Sequence, residues 1–177
     1  MTAWSKLEHS EDVAVWDRFS AQFNFEPSCP ATGPGITEPA PSITYDISSA
    51  WDDWTYPRAM PPIVADLHTK ALAAFRGLTP IGRYLYVLDW QHDGYHFDPH
   101  ALSDPGNADS WEVMVVPDGD YYIFLAEDFS FGTFGHPWAS TVCVFGQALI
   151  DAFEEDLPEL FSKVVRRDGV PVDLGEV

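Results

Sequence analysis

Three histidines recur at four-residue spacing in the segment LDWQHDGYHFDPH, at His92, His96 and His100. On an α-helix this spacing would place the three imidazoles on one side, which is how several zinc sites are built. Aspartates lie between them, so general acid–base chemistry is a second option. The choice depends on whether the backbone here is helical or extended.

The residues around the histidines predict two strands and not a helix. Asp93-Gly94 is a strong signal for a two-residue hairpin turn, because both positions tolerate positive φ. Residues that favour strands lie on both sides of it. Such a turn would pair His92 with Tyr95 and Asp89 with Asp98.

This register separates two faces of the hairpin. Residues Leu88, Trp90, Tyr95 and Phe97 share an aromatic face that should be buried, and residues Asp89, Gln91, His96 and Asp98 share the other. His92 and His96 therefore should not chelate a metal together. Opposed carboxylates are unfavourable unless a proton or a cation lies between them.

The polar face supplies the candidate sites. The candidate catalytic residues are Asp89, His96, Asp98 and His136, and the candidate metal ligands are Asp89, His96, Asp98 and His100. The alternative is a solvated hairpin face on an acidic protein. His136 is included because Gly135 and Pro137 fix its backbone, although GHPW also fits a tight turn in which Trp138 fills the core.

Other sequence motifs of catalysis are missing. The chain has no nucleophile elbow, phosphate loop, dinucleotide fingerprint or His-Glu-x-x-His pattern. Asp118 and Asp120 flank Gly119 and fit either a plain turn or a cation site. We therefore predict no organic cofactor, with a divalent metal as the open possibility.

The charge balance is strongly acidic. The chain has 28 Asp and Glu against 9 Lys and Arg, for a net charge of −19. Between Arg83 and Lys163 lie fifteen carboxylates and no Lys or Arg. Such a surface repels nucleic acid and anionic lipid and attracts basic proteins. We expect a basic protein partner, with general adaptation for solubility as the alternative, and neither nucleic-acid nor membrane binding.

The apolar patterning predicts an α+β fold. A helix is expected from about Ser10 to Gln22, a strand in SITYDIS and a second helix in PPIVADLHTKALAAFRGL. Strands are then expected in RYLYVLDW, YHFD, WEVMVV, YYIFLAED, FSFGTFG and TVCVFG, followed by a helical stretch, QALIDAFEEDL, that continues into PELFSKVVRR with Pro158 starting a new turn or helix. Short connections favour antiparallel neighbours. We predict one globular domain over residues 1–177, an antiparallel meander sheet with helices packed on one face.

The cysteines and the apolar runs bear on location. Cys29 and Cys143 belong to no metal-binding pattern, and Cys143 should be a buried apolar side chain. The N-terminal stretch has no apolar signal core, and the longest apolar run, YYIFLA, is too short to span a bilayer. We predict a cytoplasmic protein.

Several segments resemble a bacterial family known as domain of unknown function 2716. They are WDRFSAQFNFEPS, PSITYDIS, LDWQHDGYHFDPH, PDGDYYIFLAEDFSFGTFGHPW and TVCVFGQAL, spanning residues 16–149. Outside the resemblance we expect a Pro-rich surface insertion at 26–41 and a C-terminal helical segment and tail at 146–177. The resemblance implies a globular bacterial domain and brings no catalytic residues with it.

Our leading functional expectation is an acidic protein-binding module, most concretely an immunity-type inhibitor of a basic toxin or nuclease. The expected contact residues are Asp104, Asp109, Trp111, Glu112, Asp118, Asp120, Glu127 and Asp128, with Trp51 and Trp54 as further anchors. One alternative is a small hydrolase or metal-dependent enzyme that uses the 88–100 hairpin with His136. Another is an accessory domain without chemistry of its own.

Overall fold

The computed structural model describes residues 2–27, 33–52 and 60–173. Its helices are α1 (His9–Phe23), α2 (Pro62–Leu78) and α3 (Gln147–Glu155). Its strands are β1 (Trp4–Lys6), β2 (Ser42–Asp46), β3 (Leu85–Asp89), β4 (Tyr95–Phe97), β5 (Tyr122–Ala126), β6 (Gly132–His136), β7 (Thr141–Phe145), β8 (Val164–Arg167) and β9 (Val170–Pro171). All nine strands form one antiparallel sheet in the order β1-β4-β3-β5-β6-β7-β2-β8-β9.

The α+β class and the antiparallel sheet are confirmed, and the helices lie on both faces of that sheet. The alternation within β3 shows the division, because Leu85 and Val87 belong to one buried cluster and Leu88 to the other. Helices α2 and α3 pack in the first cluster, as expected. Helix α1 packs in the second, so the expectation that all helices share one face is wrong for α1. A sheet with apolar side chains on both faces needs other elements packed against each face.

The WEVMVV segment is buried except for Glu112 but is not a strand, which corrects the prediction. Val113 to Val116 are at most 7% exposed, yet their backbone pairs with none of the described strands. The amide of Val115 donates to Nε2 of His68 at 3.1 Å. The His68 side chain of α2 thus satisfies one buried amide of this segment, and the hydrophobic periodicity of the sequence does not reveal such a partner.

The C-terminal segment also departs from the prediction. Pro158 does start a new turn, the short 3₁₀ helix Glu159–Ser162. The following VVRR is strand β8, which pairs with β2, and not a continued helix. Its two adjacent β-branched valines favour that strand.

The described part of the 26–41 segment, residues 26–27 and 33–41, is irregular, but it is more than a surface connection. Ile36 is 4% exposed and Glu38 is 7% exposed. The Glu38 carboxylate accepts from the Thr44 hydroxyl at 2.9 Å and pairs with Arg166 at 2.8 Å. This pair connects the insertion to β2 and β8 across the sheet face.

The burial of Cys143, which is 0% exposed, confirms its predicted role as a core side chain. Cys29 lies outside the described residues. Among the described residues, no helix combines the length and the apolar character that crossing a membrane requires.

Candidate functional site

The 88–100 hairpin forms with a register other than the predicted one. The observed Cα partners are Leu85 with Phe97, Tyr86 with His96 and Val87 with Tyr95. Residues 90–94 connect β3 to β4, and the two-residue turn at Asp93-Gly94 does not form.

The turn lies earlier in this connection. The amide of His92 donates to the carbonyl of Asp89 at 3.1 Å, and Gln91 has a φ of 68° in the left-handed region, as a type II turn requires. Gly94 serves for close approach and not for positive φ, because a Cβ there would lie 2.3 Å from Oδ1 of Asp12 and 2.9 Å from Leu7. The absence of a side chain at Gly94 therefore leaves room for Leu7 and Asp12, which pack against it.

The new register separates the predicted catalytic and metal residues. Asp89 lies opposite Tyr122 of β5 and not opposite Asp98. Asp98 accepts from the amide of His100 at 2.9 Å, a local turn contact. The opposed pair Asp89–Asp98, from which the candidate site was built, is therefore wrong.

His96 faces helix α1 and not Asp89. Its Nε2 lies 3.0 Å from Oε1 of Glu11, which also accepts from the Tyr86 hydroxyl at 3.4 Å. The ring of Tyr84 packs against the imidazole with 4.0 Å between the ring centroids. His96 thus helps to attach the start of α1 to the sheet.

The other two predicted histidines are also engaged in structural contacts. Nε2 of His100 lies 2.7 Å from the carbonyl of Thr79, the residue that follows α2. His136 is 1% exposed, and its Nδ1 accepts from the amide of Ala139 at 3.2 Å. Burial lowers the pKa of His136. Gly135 and His136 are the last residues of strand β6, and the turn begins at Pro137, whose carbonyl accepts from the amide of Ser140 at 3.3 Å. Trp138 in that turn is 39% exposed and does not fill the core.

A different cluster assembles at the same end of the sheet, from Asp89, His92 and Asp120. Nδ1 of His92 lies 3.1 Å from Oδ1 of Asp89 and 3.5 Å from Oδ2 of Asp120. One ligand atom from each residue lies within 4.8 Å of the other two. The two carboxylates are mostly buried, at 16% and 20% exposure, whereas the imidazole is 62% exposed.

Burial and neighbouring charges both shift the pKa values of this cluster. Burial, together with the charges of Asp120 and Asp118, raises the pKa of Asp89 to about 6, although the hydrogen bond and charge of His92 act in the opposite direction. The same hydrogen bond raises the pKa of His92. Burial also raises the pKa of Asp120. An imidazole nitrogen with two carboxylate oxygens is a donor set that could hold a divalent transition metal.

The cluster belongs to a larger acidic surface, which we call the acidic end: Asp89, Asp93, Glu112, Asp118 and Asp120. Two tyrosines show that these charges are neighbours. Burial is the main cause that raises the pKa of Tyr95, and the charges of Glu112, Asp93 and Asp89 raise it as well. Burial, a hydrogen bond to Asp118 and the charges of Asp89 and Asp120 raise the pKa of Tyr122. Among the described residues, the cationic side chains that contact the acidic end are Lys6 and His92.

The expected contact residues have mixed positions. Asp104, Asp109, Glu112, Asp118 and Asp128 are exposed, and Asp120 and Glu127 are partly buried. Trp111 is 6% exposed and donates to the carbonyl of Pro105, so its expected place as a surface anchor is wrong. Trp51 packs against the core, and Trp54 lies outside the described residues.

His92 is the residue that sequence reasoning set aside. The predicted hairpin paired it with Tyr95 and gave it no carboxylate partner. The spacing Asp89-x-x-His92 was the available signal, because a β-turn brings its first and last residues together. Nothing local in the sequence indicates that Asp120, from the segment before β5, joins them.

Over the described residues, the fold and the acidic end define an α+β protein built on one nine-stranded antiparallel sheet, with helices on both faces and a cluster of carboxylates at one end. The chain belongs to the family described as protein of unknown function DUF2716, whose model matches residues 6–150. It is 35% identical over 161 residues to the uncharacterized protein YxiI of Bacillus subtilis (strain 168), covering 91% of this chain and 98% of that protein. No solved structure matches the chain.

Proposed function

We propose that this protein binds a basic protein partner through the acidic end, most concretely as an immunity-type inhibitor that neutralises a basic toxin or nuclease. The observation that carries the proposal is the concentration of five carboxylates around two tyrosines. Lys6 and His92 offset only part of that charge. Nucleic-acid and membrane partners are disfavoured, because both are anionic.

The chemistry of the surface suits such a partner. Clustered carboxylates present the same charge as a phosphate backbone, which is what a nuclease binds. They also steer a basic protein during its diffusional approach, an effect that raises the association rate and weakens with salt. Tyr95 and Tyr122 supply aromatic area among the charges, a composition typical of interface centres.

The test is a charge reversal that spares the core. Glu112→Lys with Asp118→Lys changes two exposed carboxylates of the acidic end, and Glu154→Lys with Glu155→Lys is the matched control on exposed positions of α3. The probe is the purified product of the adjacent gene, because inhibitors of this type are encoded beside their toxins. We expect the first double variant to lower the association rate about 10-fold or more at low salt, with little effect of the control.

The proposal fails under either of two outcomes. One is an adjacent gene product that neither binds nor is inhibited. The other is inhibition that persists unchanged after reversal of the acidic end.

The arrangement of Asp89, His92 and Asp120, which could hold a metal ion, favours a second candidate function, metal-dependent chemistry. Calorimetric titration of tag-free protein with Zn²⁺ and with Mn²⁺ tests it directly. We expect stoichiometric binding that His92→Ala abolishes and that His96→Ala retains, because His96 contacts Glu11 and lies outside the cluster. Absence of binding, or equal losses in both variants, rejects this candidate.

A further inference from the structure

Residues 33–37, which we call the strap, pack directly on the ring of His136. A Cβ atom at Gly35 would lie 3.3 Å from Cδ2 of His136, 3.2 Å from Cζ of Phe134 and 3.3 Å from Cε1 of Tyr121. The φ of Gly35 is 78°, in the left-handed region, so this close approach depends on a glycine. The strap thus covers a buried imidazole.

The strap contains no helix or strand and is joined to the rest of the chain by identifiable hydrogen bonds. The Thr37 amide donates to the Phe23 carbonyl at 2.7 Å, and the Glu26 amide donates to the Gly35 carbonyl at 2.9 Å. Irregular segments of this kind open locally at a lower free energy than the sheet beneath them. The two amides report whether the strap is closed, because a hydrogen-bonded amide exchanges with solvent only when its bond opens.

The contacts of His136 under the strap require a neutral ring. Nδ1 accepts from the amide of Ala139 at 3.2 Å, so the single ring proton is on Nε2. Nε2 is buried and forms no hydrogen bond with the described residues. A second proton would set an N–H group against the N–H of Ala139 and would place a charge in a buried site.

The surroundings of the ring also disfavour its charged form. Among the described residues, the titratable groups that face His136 are Tyr121, with 4.8 Å between the ring centroids, and Arg166, which is paired with Glu38. Burial lowers the pKa of His136, and the charge of Arg166 lowers it further. The backbone of Gly33 acts in the opposite direction, although it forms no well-aligned hydrogen bond with Nε2.

We propose that the strap is an acid-sensitive switch, which is closed over neutral His136 and released when this histidine is protonated. The inference is independent of the basic-partner proposal. Opening the strap returns the imidazole to solvent, where a histidine has a pKa of about 6.5. Because the closed state binds the proton less well, the ratio of open to closed strap should rise below pH 6.5, by up to about 10-fold per pH unit.

The measurement is amide hydrogen exchange by NMR between pH 7.5 and pH 5, with each rate corrected for the exchange rate of an unfolded chain at the same pH. The amides of Thr37 and Glu26 report on the strap. The amide of Val87, in the interior strand β3, reports on opening of the sheet.

The variants separate His136 from the other buried histidine. His136→Asn retains an oxygen that can accept from the Ala139 amide but does not titrate. His68→Leu is the matched control, because it removes a buried histidine that lies in the other core cluster. Circular dichroism checks that each variant folds, and His136→Phe replaces the asparagine variant if that one does not.

We expect the Thr37 and Glu26 amides of the wild type to exchange at least about 10-fold faster than Val87, since the opening is local. Their protection should fall by up to about 10-fold per pH unit below pH 6.5. His136→Asn should remove this pH dependence, and His68→Leu should retain it.

Two glycine variants test the contact between the strap and the ring. Gly35→Ala should lower the protection of the Thr37 amide about 10-fold at pH 7.5, because it adds a methyl group at a positive φ against His136. Gly33→Ala is the control within the strap, since no atom lies within 4 Å of its Cβ position. We expect Gly33→Ala to leave the Thr37 amide unchanged.

Three results would overturn the switch. One is protection of the Thr37 amide that stays constant from pH 7.5 to pH 5. Another is the same pH slope in the wild type and in His136→Asn. The third is exchange of Thr37 at the rate of Val87, which would show that the strap opens only with the whole sheet.

Discussion

The imidazole of His68 accepts a hydrogen bond from the backbone amide of Val115 at 3.1 Å, while its Nδ1 donates to the carbonyl of Val64 at 2.8 Å. This neutral tautomer satisfies both ring nitrogens inside the core. It also connects α2 to the irregular segment 113–116 through the Val115 amide. The rings of His68 and Trp111 meet in a T-shaped contact, with the ring centroids 4.8 Å apart and the planes inclined at 73°.

The first prediction concerns pH. Burial lowers the pKa of His68 to about 4 from the 6.5 of an exposed histidine. Because the pKa of His68 is lower in the folded state, the unfolded state binds more protons below pH 6.5. The free energy of unfolding therefore keeps the contribution of neutral His68 above pH 6.5 and loses it as the pH falls toward 4, at up to about 1.4 kcal/mol per pH unit. Urea unfolding between pH 7.5 and 4 measures this slope.

The matched variant for that slope is His68→Leu. We expect its free energy of unfolding to be lower by about 1–3 kcal/mol at pH 7.5, because the Val115 amide is left buried without an acceptor. Its stability should also fall less steeply below pH 6.5. Equal pH slopes in the two proteins would remove His68 as the source.

The second prediction concerns Gly94. Gly94→Ala should destabilise the fold by about 1–3 kcal/mol, because the added methyl group would overlap Asp12 and Leu7. Gly106→Ala is the control, since no atom lies within 4 Å of its Cβ position, and we expect a change within about 0.5 kcal/mol. Chemical denaturation compares them. A tolerated Gly94→Ala would mean that the N-terminal segment does not pack against Gly94.

The third prediction concerns the coupling between Asp89 and His92. Since the hydrogen bond and charge of His92 lower the pKa of Asp89, His92→Ala should move that pKa above its value of about 6. Carboxyl ¹³C NMR titration measures the change. His96→Ala should leave the pKa of Asp89 unchanged. A pKa shift of the same size in both variants would argue against a specific Asp89–His92 pair.

The fourth prediction contrasts two ion pairs. Arg166→Met should cost about 3–5 kcal/mol, because it leaves the Glu38 carboxylate, which is 1% exposed, buried without its cation. Lys163→Met breaks the more exposed pair with Asp46, and we expect at most about 1 kcal/mol. Thermal unfolding distinguishes them. Similar losses in the two variants would contradict the buried character of the Glu38 pair.

The elements with strong local signals could be predicted from the sequence. The apolar patterning predicted a helix from about Ser10 to Gln22, and α1 spans His9–Phe23. Alternation in SITYDIS predicted a strand that became β2. These signals suffice because a repeating apolar side depends only on the backbone period and on a core to face.

The site could not be predicted in the same way. The sequence by itself determined the α+β class, the acidic balance, and the placement of a polar turn rich in Asp and His between β3 and β4. Only the tertiary structure decided which side chains meet, because register depends on long-range partners: Leu7 and Asp12 press on Gly94, and β5 pairs with β3. A register change of an odd number of residues moves each side chain to the other face of the sheet. His96 therefore lies against α1, and His92 lies between Asp89 and Asp120.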